Sequence, residues 1–571
     1  MDSSLFYFLR DLAERKRTSK SVLDRPLDCK GLVDNNGLTS FGYDVLRPYK
    51  VSNAVILAAG FSSRFAPLSY EIPKALLRVK GERLIERQIL QLQAAGVNDI
   101  TVVVGYKKEL FLYLQNKFGV KLVTNEEFSS RNNHSSLMAV VDRLSNTYIC
   151  SADNYFVENP FHSYELEAFY SVQYADGKTK EWCVNTAECG EITSVKVGGE
   201  NAWYMIGHSY FDKKFSLSFT EYLAKVYGLE ETKNKLWEEL FIDNLSNLSM
   251  RIHKNYTRNI YEFDSLVEAV EFDASFFKHN PSKILDHIEK ALSVERNLIQ
   301  NVRPLKSGLT NLSCYFSVNG KGYVYRYPGS GTEKLVDRQA EFEALRIAKN
   351  CGFDSTFLAG DPIEGWKIST FIENARELNP WDERELKMAM SLMKRLHGQN
   401  ENVSREFDFF RQGLKYEALY LENNESSEND ILLKRKIVRL SESVETSRKV
   451  FTHNDFFGLN ILIDSKGELN LIDWEYAGMG DYANDFGTFV VSSLLDNEQA
   501  DKALNYYFGK SPTKEIRLHF YAHVVLASWC WYNWAQYKES IGVSVGNWKF
   551  LYREYALRYL NRIDQVSRGF L

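Results

Sequence analysis

The chain has no run of eighteen consecutive apolar residues, and no cationic stretch leads into an apolar one near its start. The sequence therefore predicts neither a membrane span nor a signal peptide. Cysteine is sparse. The seven thiols are Cys29, Cys150, Cys183, Cys189, Cys314, Cys351 and Cys530, with no C-x-x-C pair and no metal-type grouping. An odd, scattered set argues against a disulfide framework and predicts reduced thiols in a cytoplasmic protein. Positive charge is not in excess: 70 Lys and Arg against 75 Asp and Glu give a net charge of −5. That argues against a dedicated nucleic-acid coat and leaves room for a local basic patch. No internal repeat or low-complexity tract is present, and the polar run 422–430 reads as a surface loop.

What is present is length. A chain of 571 residues exceeds one hydrophobic core and predicts two large domains with something smaller. The hydrophobic share of 44% and charged share of 25% are those of an ordinary globular protein. Aromatic residues are frequent at 14%, which suits either a tyrosine-rich core or pockets that bind cations.

Residues 1–50 form a separate piece of one or two short helices, with Arg15, Lys16, Arg17 and Lys20 clustered. Residues 38–43 with Leu46 resemble the tail of a winged-helix module; the alternative is a helical extension packed on the next domain. From 51 to 275, strand-like runs such as AVILAAG and DITVVVGY alternate with the amphipathic helix LIERQILQLQAAG. This alternation predicts a mostly parallel, doubly wound α/β sheet with its site at the carboxyl ends of the strands. Residues 276–300 read as a connecting helix that starts after a proline. Residues 301–571 begin with a hairpin whose turn signal is Asn319-Gly320, followed mostly by helices.

Residues 57–77, LAAGFSSRFAPLSYEIPKALL, pack many backbone donors and two cations directly after a strand. Ala58, Ala59 and Gly60 let a ligand approach the backbone. The amides of Phe61, Ser62 and Ser63 would face phosphate oxygens, and Arg64 and Lys74 would neutralise a triphosphate and its departing pyrophosphate. The run resembles the signature G-x-G-[ST]-R-x-x-P-L-x-x-x-x-P-K of sugar-nucleotide-type nucleotidyltransferases. Its second glycine is Ser62 here, which adds a hydroxyl and removes conformational latitude.

Downstream, VVVGYKKELFLYLQ, NEEFSSRNNHSSL, SADNYF, KEWCV and IYEFDSLVEA resemble, in order, the bacterial CTP:phosphocholine cytidylyltransferases. That resemblance implies that Asp153 and Asp264 hold Mg²⁺ and that Asn132 and Asn133 help bind CTP. Two hard carboxylates around one Mg²⁺ also suit in-line attack on an α-phosphate. A quaternary ammonium is recognised by aromatic faces, for which Trp182, Trp203 and Tyr204 are candidates; each is equally a core aromatic.

The block 451–487, FTHNDFFGLNILIDSKGELNLIDWEYAGMGDYANDFG, carries a second phosphate-handling set. Asp455 and Asn460 have the D-x-x-x-x-N spacing of a kinase catalytic loop, and Asp473 ends a strand. Asp455 would orient the attacking hydroxyl and take its proton, while Asn460 and Asp473 would hold Mg²⁺ on the ATP phosphates. Arg326 on a strand would stand where protein kinases use lysine, paired with Glu341 on a helix. Ser307, Thr310 and Asn311 lie on the turn that would cover the phosphates. The segment after the His-Asn-Asp loop resembles choline/ethanolamine kinases. Trp531 and Trp534, three apart on a helix, match the W-x-x-W of the trimethylammonium cage in that family; a tryptophan stripe is otherwise core packing.

The expected architecture is a Rossmann-like nucleotidyltransferase domain followed by an α+β domain of the choline kinase/aminoglycoside phosphotransferase type, after a small helical or winged-helix-like extension. The expected function is two consecutive reactions. Choline and ATP give phosphocholine, which with CTP gives CDP-choline and pyrophosphate. The alternatives are the same reactions on ethanolamine or another amino alcohol, or a choline-responsive regulator that binds DNA through residues 1–50.

Overall fold

The computed structural model describes residues 1–14, 31–34, 37–256, 259–305, 311–329, 334–444 and 448–568. The basic cluster at Arg15, Lys16, Arg17 and Lys20 lies outside the described residues. Contacts divide the chain into two units, 1–284 and 285–571.

The first unit opens with α1 (Ser3–Ala13), capped by the Asp2 carboxylate on the amides of Ser4 and Leu5. Phe6, Phe8 and Leu9 of α1 bury against Leu32 and Leu46, with Tyr164 and Leu166 packed alongside. Just past α1, Glu14 accepts hydrogen bonds from His162 Nδ1 at 2.7 Å and from the Ser163 amide at 2.8 Å. The described part of residues 1–50 is thus a helical extension seated on the domain that follows, with a two-residue hairpin at Val33–Asp34 and Gly37–Leu38.

That domain is built on a seven-stranded sheet. Its strands are β1 (Asn53–Ala58), β2 (Ile100–Val104), β3 (Lys121–Thr124), β4 (Thr147–Ser151), β5 (Phe169–Thr186), β6 (Ile192–Phe211) and β7 (Arg251–Asn255), in the order β7-β5-β6-β4-β1-β2-β3. Strands β1 to β4 are mutually parallel, in keeping with the nearly continuous burial of β1, β2 and β4; β3 is the partly exposed edge. The helix expected between β1 and β2 is α2 (Leu84–Ala94). Strand order reverses beside β1, so the loops after β1 and β4 open onto one crevice.

The long hairpin β5–β6 departs from the parallel expectation. Its second strand runs antiparallel to β4 and makes the sheet mixed. Its polar, bulged outer half has too weak a period to announce an 18- and a 20-residue strand. Three further helices matter for the site or the boundary: α3 (His134–Met138), α4 (Trp237–Asp243) and α5 (Lys283–Leu292), the last being the connecting helix. The division after Ile284 falls in the first turn of α5.

The second unit begins with an antiparallel sheet that contains β8 (Asn311–Val318), β9 (Lys321–Pro328) and β10 (Lys367–Thr370). Asn319 and Gly320 form the turn between β8 and β9, both with positive φ (52° and 77°), which is why the Asn-Gly pair is needed there. Helix α6 (Arg338–Asn350) packs under this sheet. A larger, mainly helical core follows, around α7 (Phe409–Leu421), α8 (Asn484–Ser492), α9 (Lys514–Ser540) and α10 (Trp548–Arg568). The short strands β11 (Lys449–Thr452) and β12 (Gly478–Asp481) pair antiparallel and frame the block that carries Asp455. Among the described residues, no helix is long and apolar enough to cross a membrane.

Candidate active sites

In the first unit, a cavity of about 210 Å³ lies at the carboxyl ends of β1 and β4. It is lined by Ala58, Ala59, Gly60, Ser62, Lys74, Asn132, Asn133 and Asp153 of the sequence-predicted set. Ser62 has φ +51°, a left-handed conformation that a glycine adopts without a Cβ penalty. The serine takes it nonetheless, so the loop has the glycine-type bend. Ser63 opens a short 3-10 turn, and its side chain lies outside the described residues. A Cβ on Gly105 would fall 2.9 Å from the Ala59 carbonyl and closer still to Phe128, so the loop rests on that glycine.

Lys74 is only 6% exposed and donates to Asp153 at 2.7 Å. Arg64 pairs with Asp264 nearer the surface. The two predicted cations and two predicted carboxylates thus meet as two ion pairs.

Two acids beyond the predicted pair join this cluster. Glu262 keeps an exposed face while protein atoms crowd its carboxyl. Partial loss of water, and then the neighbouring Asp153 charge, push its carboxyl up, against the opposing pull of Lys74. Glu181 is also raised, by desolvation and then by Asp264 and Glu268. Glu262 sits two residues before Asp264 in YEFDS, so the motif contained it.

Asn132 and Asn133 lie at the start of α3 with their carboxamides engaged. Asn132 donates to the Asn234 carbonyl at 2.8 Å. Asn133 accepts from the Trp237 amide at 2.7 Å and donates to Glu238 at 3.2 Å. They line the cavity and also clamp α3 to α4. Arg131, Phe128, Asn125 and Ser136 also line it without having been singled out from the sequence.

The aromatic candidates do not form one wall. Trp203 and Tyr204 are consecutive on β6, so they project to opposite faces of the sheet. Trp203 packs edge-on against Tyr174 and Tyr256, and Tyr204 accepts from Gln173 at 2.8 Å. Trp182 lines a different cavity with Val195, Lys235 and Glu239. The alternation that turns Glu181 toward Asp264 carries the neighbouring indole away. As a joint wall, the trio is corrected.

In the second unit, Arg326 on β9 makes a buried ion pair with Glu341 on α6, as the strand-and-helix spacing predicts. It also donates to Asp473 at 2.9 Å and lies 3.6 Å from Glu475. Lys367, paired with Arg326 across β9 and β10, reaches Glu341 at 3.3 Å and Asp473 at 3.5 Å, and Arg338 donates to Glu341 at 2.9 Å. Burial opposes ionisation of Glu341, but Arg326, Lys367 and Arg338 outweigh it and hold the carboxyl down at about 2. Lys367, Arg338 and Glu475 were not identified from the sequence. Lys367 becomes visible only through the register of two strands some forty residues apart.

Asn460 donates to the Asp455 carboxylate and to its carbonyl, both at 2.9 Å. Desolvation, then Asp473 and Glu475, raise the Asp455 carboxyl well above the usual range. Asp473 and Asn454 both have positive φ, 67° and 64°. The strained Asn454 turn is held by Asp485, which accepts from the amides of His453 at 3.1 Å and Asn454 at 2.6 Å. His397 donates to the same carboxylate at 2.9 Å. His453 donates to the Ile472 carbonyl at 3.0 Å, which ties the catalytic-type loop to the strand before Asp473.

Trp531 and Trp534 are 4% and 6% exposed and meet edge-on, with ring centres 6.1 Å apart. Tyr476 packs edge-on against Trp531 at 5.0 Å. Burial, then Glu475, Tyr416 and Asp455, raise the Tyr476 hydroxyl, and burial, then Asp455, raise that of Tyr552, so both rings stand within reach of the Asp455 charge. Ser307 and Thr310 lie outside the described residues. Asn311 opens β8, and its side chain is likewise not described.

A crevice at the strand-order reversal with a Lys-Asp pair defines a nucleotidyltransferase site. An Arg-Glu pair over an Asp/Asn/Asp set defines a kinase-type phosphotransferase site. The chain accordingly matches two families: the MobA-like NTP transferase domain over residues 54–187 and the phosphotransferase enzyme family over residues 301–516. It is 34% identical over 213 residues to the choline-phosphate cytidylyltransferase of Streptococcus pneumoniae, covering 37% of this chain and 93% of that protein. It is 34% identical over 229 residues to the 2-aminoethylphosphonate cytidylyltransferase of Lancefieldella rimae, covering 39% of this chain and 93% of that protein. The protein LicA of Haemophilus influenzae is 25% identical over 276 residues, covering 45% of this chain and all of that protein. The chain belongs to the family that these cytidylyltransferases form, and it carries a phosphotransferase domain in addition.

Proposed function

We propose that this chain makes CDP-choline in two steps, the second unit phosphorylating choline with ATP and the first joining phosphocholine to CTP with release of pyrophosphate. The observation that carries the reading is the coexistence of two full phosphate-handling sets, Lys74 with Asp153 and Asp455 with Asn460 and Asp473, in one chain. A phosphonate substrate needs no kinase, so the second set favours a phosphorylated alcohol over the aminophosphonate of one relative. The buried aromatic group of Trp531, Trp534, Tyr476 and Tyr552 near Asp455 favours a quaternary ammonium over a primary amine, because aromatic faces attract a cation that cannot donate hydrogen bonds.

In the second unit, Asp455 orients the choline hydroxyl and accepts its proton as the oxygen attacks the γ-phosphorus of ATP. Arg326, fixed by Glu341, presents its fork to the α- and β-phosphates. In the first unit, Lys74 and Arg64 exchange their carboxylate partners for phosphate oxygens. Both then face the charge that develops on the departing pyrophosphate while the phosphocholine oxygen attacks the α-phosphorus. Gly60 and the bend at Ser62 let the CTP phosphates reach the backbone. Asp153 and Asp264, with Glu262 and Glu181 beside them, and Asn460 with Asp473, are hard oxygen donors crowded by like charge, and they fit Mg²⁺. Bound there, Mg²⁺ would neutralise phosphate charge as a Lewis acid. Soluble, cytoplasmic action follows from the substrates.

The test is product analysis with the purified protein, ATP, CTP and Mg²⁺, supplied in turn with choline, ethanolamine and 2-aminoethylphosphonate. Wild type is expected to make CDP-choline. Asp455→Ala should do so only when fed phosphocholine, and Asp153→Ala should stop at phosphocholine. Preferential turnover of either other compound would overturn the substrate assignment.

A further inference from the structure

Away from both sites, Asp481 at the end of β12 faces two histidines, His519 and His523, four apart and therefore on one side of α9. One donor atom from each of the three lies within 4.8 Å of the others. His519 Nε2 lies 2.8 Å and His523 Nε2 3.6 Å from the same oxygen, Asp481 Oδ1. A tetrahedral shell with ligands at about 2.0–2.1 Å places its donors about 3.3 Å apart, between these two values.

His523 supplies a separate indication. It is 6% exposed, and its Nε2 makes no hydrogen bond among the described residues. Its other nitrogen, Nδ1, lies 2.9 Å from the Asn484 Oδ1. An amide oxygen only accepts, so Nδ1 carries the proton and Nε2 keeps a lone pair directed at Asp481. A ligand imidazole oriented by a hydrogen bond from its other nitrogen is the usual second shell of a metal site. A cavity of about 130 Å³ beside Asp481 and His523, bounded also by Glu406, Asp408 and Lys449, leaves room for a water as fourth ligand.

We propose that Asp481, His519 and His523 bind a divalent transition metal of the zinc class. Two imidazoles and one carboxylate select such an ion over Mg²⁺ or Ca²⁺, which prefer oxygen throughout. The ion staples α9 to β12. It is joined to the catalytic-type loop through Asn484, which donates to Asn454 at 3.1 Å, so its role is structural support below the kinase site.

The test uses the full chain, stripped by chelation and held in excess Mg²⁺, titrated with Zn²⁺ or Co²⁺. One equivalent should bind, the melting temperature of the second unit should rise, and Co²⁺ should show visible bands of a low-coordinate site. His519→Gln and His523→Gln should each weaken binding by at least on the order of 100-fold. X-ray absorption on the wild-type Zn²⁺ protein, which does not depend on how the variants fold, should show two imidazoles. No bound equivalent, affinity unchanged in both variants, or an all-oxygen shell would overturn the proposal.

Discussion

Lys74 is a nearly buried cation whose charge is met by Asp153 at 2.7 Å and whose ammonium also sits over the Phe65 ring at 4.8 Å. A methionine fills the same space without the charge. Lys74→Met should therefore lower cytidylyl transfer by about 10²–10³-fold and leave choline phosphorylation by the same protein unchanged. Separate assays of the two steps check this, and an equal fall in both would refute it. Glu238 offers a pH effect away from the carboxylates proposed to hold Mg²⁺. Burial pushes its carboxyl up to about 7, although Asn133 and Tyr170 both donate to it. The folded protein holds that proton more tightly than the unfolded chain, so stability falls as pH rises from the ordinary carboxylate range toward 7 and stays lower above it. Glu238→Gln keeps partners for Asn133 and Tyr170 and removes the charge. It should stabilise the first unit by on the order of 3 kcal/mol at pH 8, with the gain vanishing toward pH 4.5. Melting curves at the two pH values decide it.

At the level of elements, α8 and α9 cross at Gly487, where a Cβ would lie 2.5 Å from the His523 carbonyl oxygen. Backbone cannot yield as a flexible side chain can. Gly487→Ala should cost about 1–3 kcal/mol and lower the melting temperature and phosphorylation rate of the second unit, while cytidylyl transfer persists. A variant that melts like wild type would show that the helices can part. The legible elements were those with a local signal: the β1 strand and its phosphate loop, the Asn319-Gly320 turn, α5 after its proline, and the Arg326-Glu341 spacing. The hairpin β5–β6 was not legible, because its outer half is polar on both sides and bulged. The same hairpin sets Trp203 and Tyr204 on opposite faces, since neighbours in a strand cannot share a wall.

At the scale of the molecule, each unit has its own core, one around Trp474, Phe451 and α9, the others on the two faces of the seven-stranded sheet. Calorimetry should show two transitions, with CTP raising only one and a non-hydrolysable ATP analogue only the other. A single transition moved by both ligands would contradict this. Both reactions should stop in EDTA and return with Mg²⁺, because the carboxylates at each site are too crowded to receive triphosphates without a cation. Activity of either step in EDTA would remove the metal from the reading.

The sequence by itself determined the division of labour: an α/β unit with a phosphate loop carrying Arg64 and Lys74, and a kinase-like unit with a D-x-x-x-x-N loop and an Arg326-Glu341 spacing. These are local patterns, carried by spacing along a few turns or strands. Only the tertiary structure decided which charges meet. Lys74 finds Asp153 across 79 residues, Arg64 finds Asp264 across 200, Lys367 joins Arg326 through a strand register, and Asp481 finds His519 and His523 through the packing of β12 against α9. Such pairs leave no periodic trace in the chain, because the distance that matters to Coulomb's law and to a hydrogen bond is the one through space.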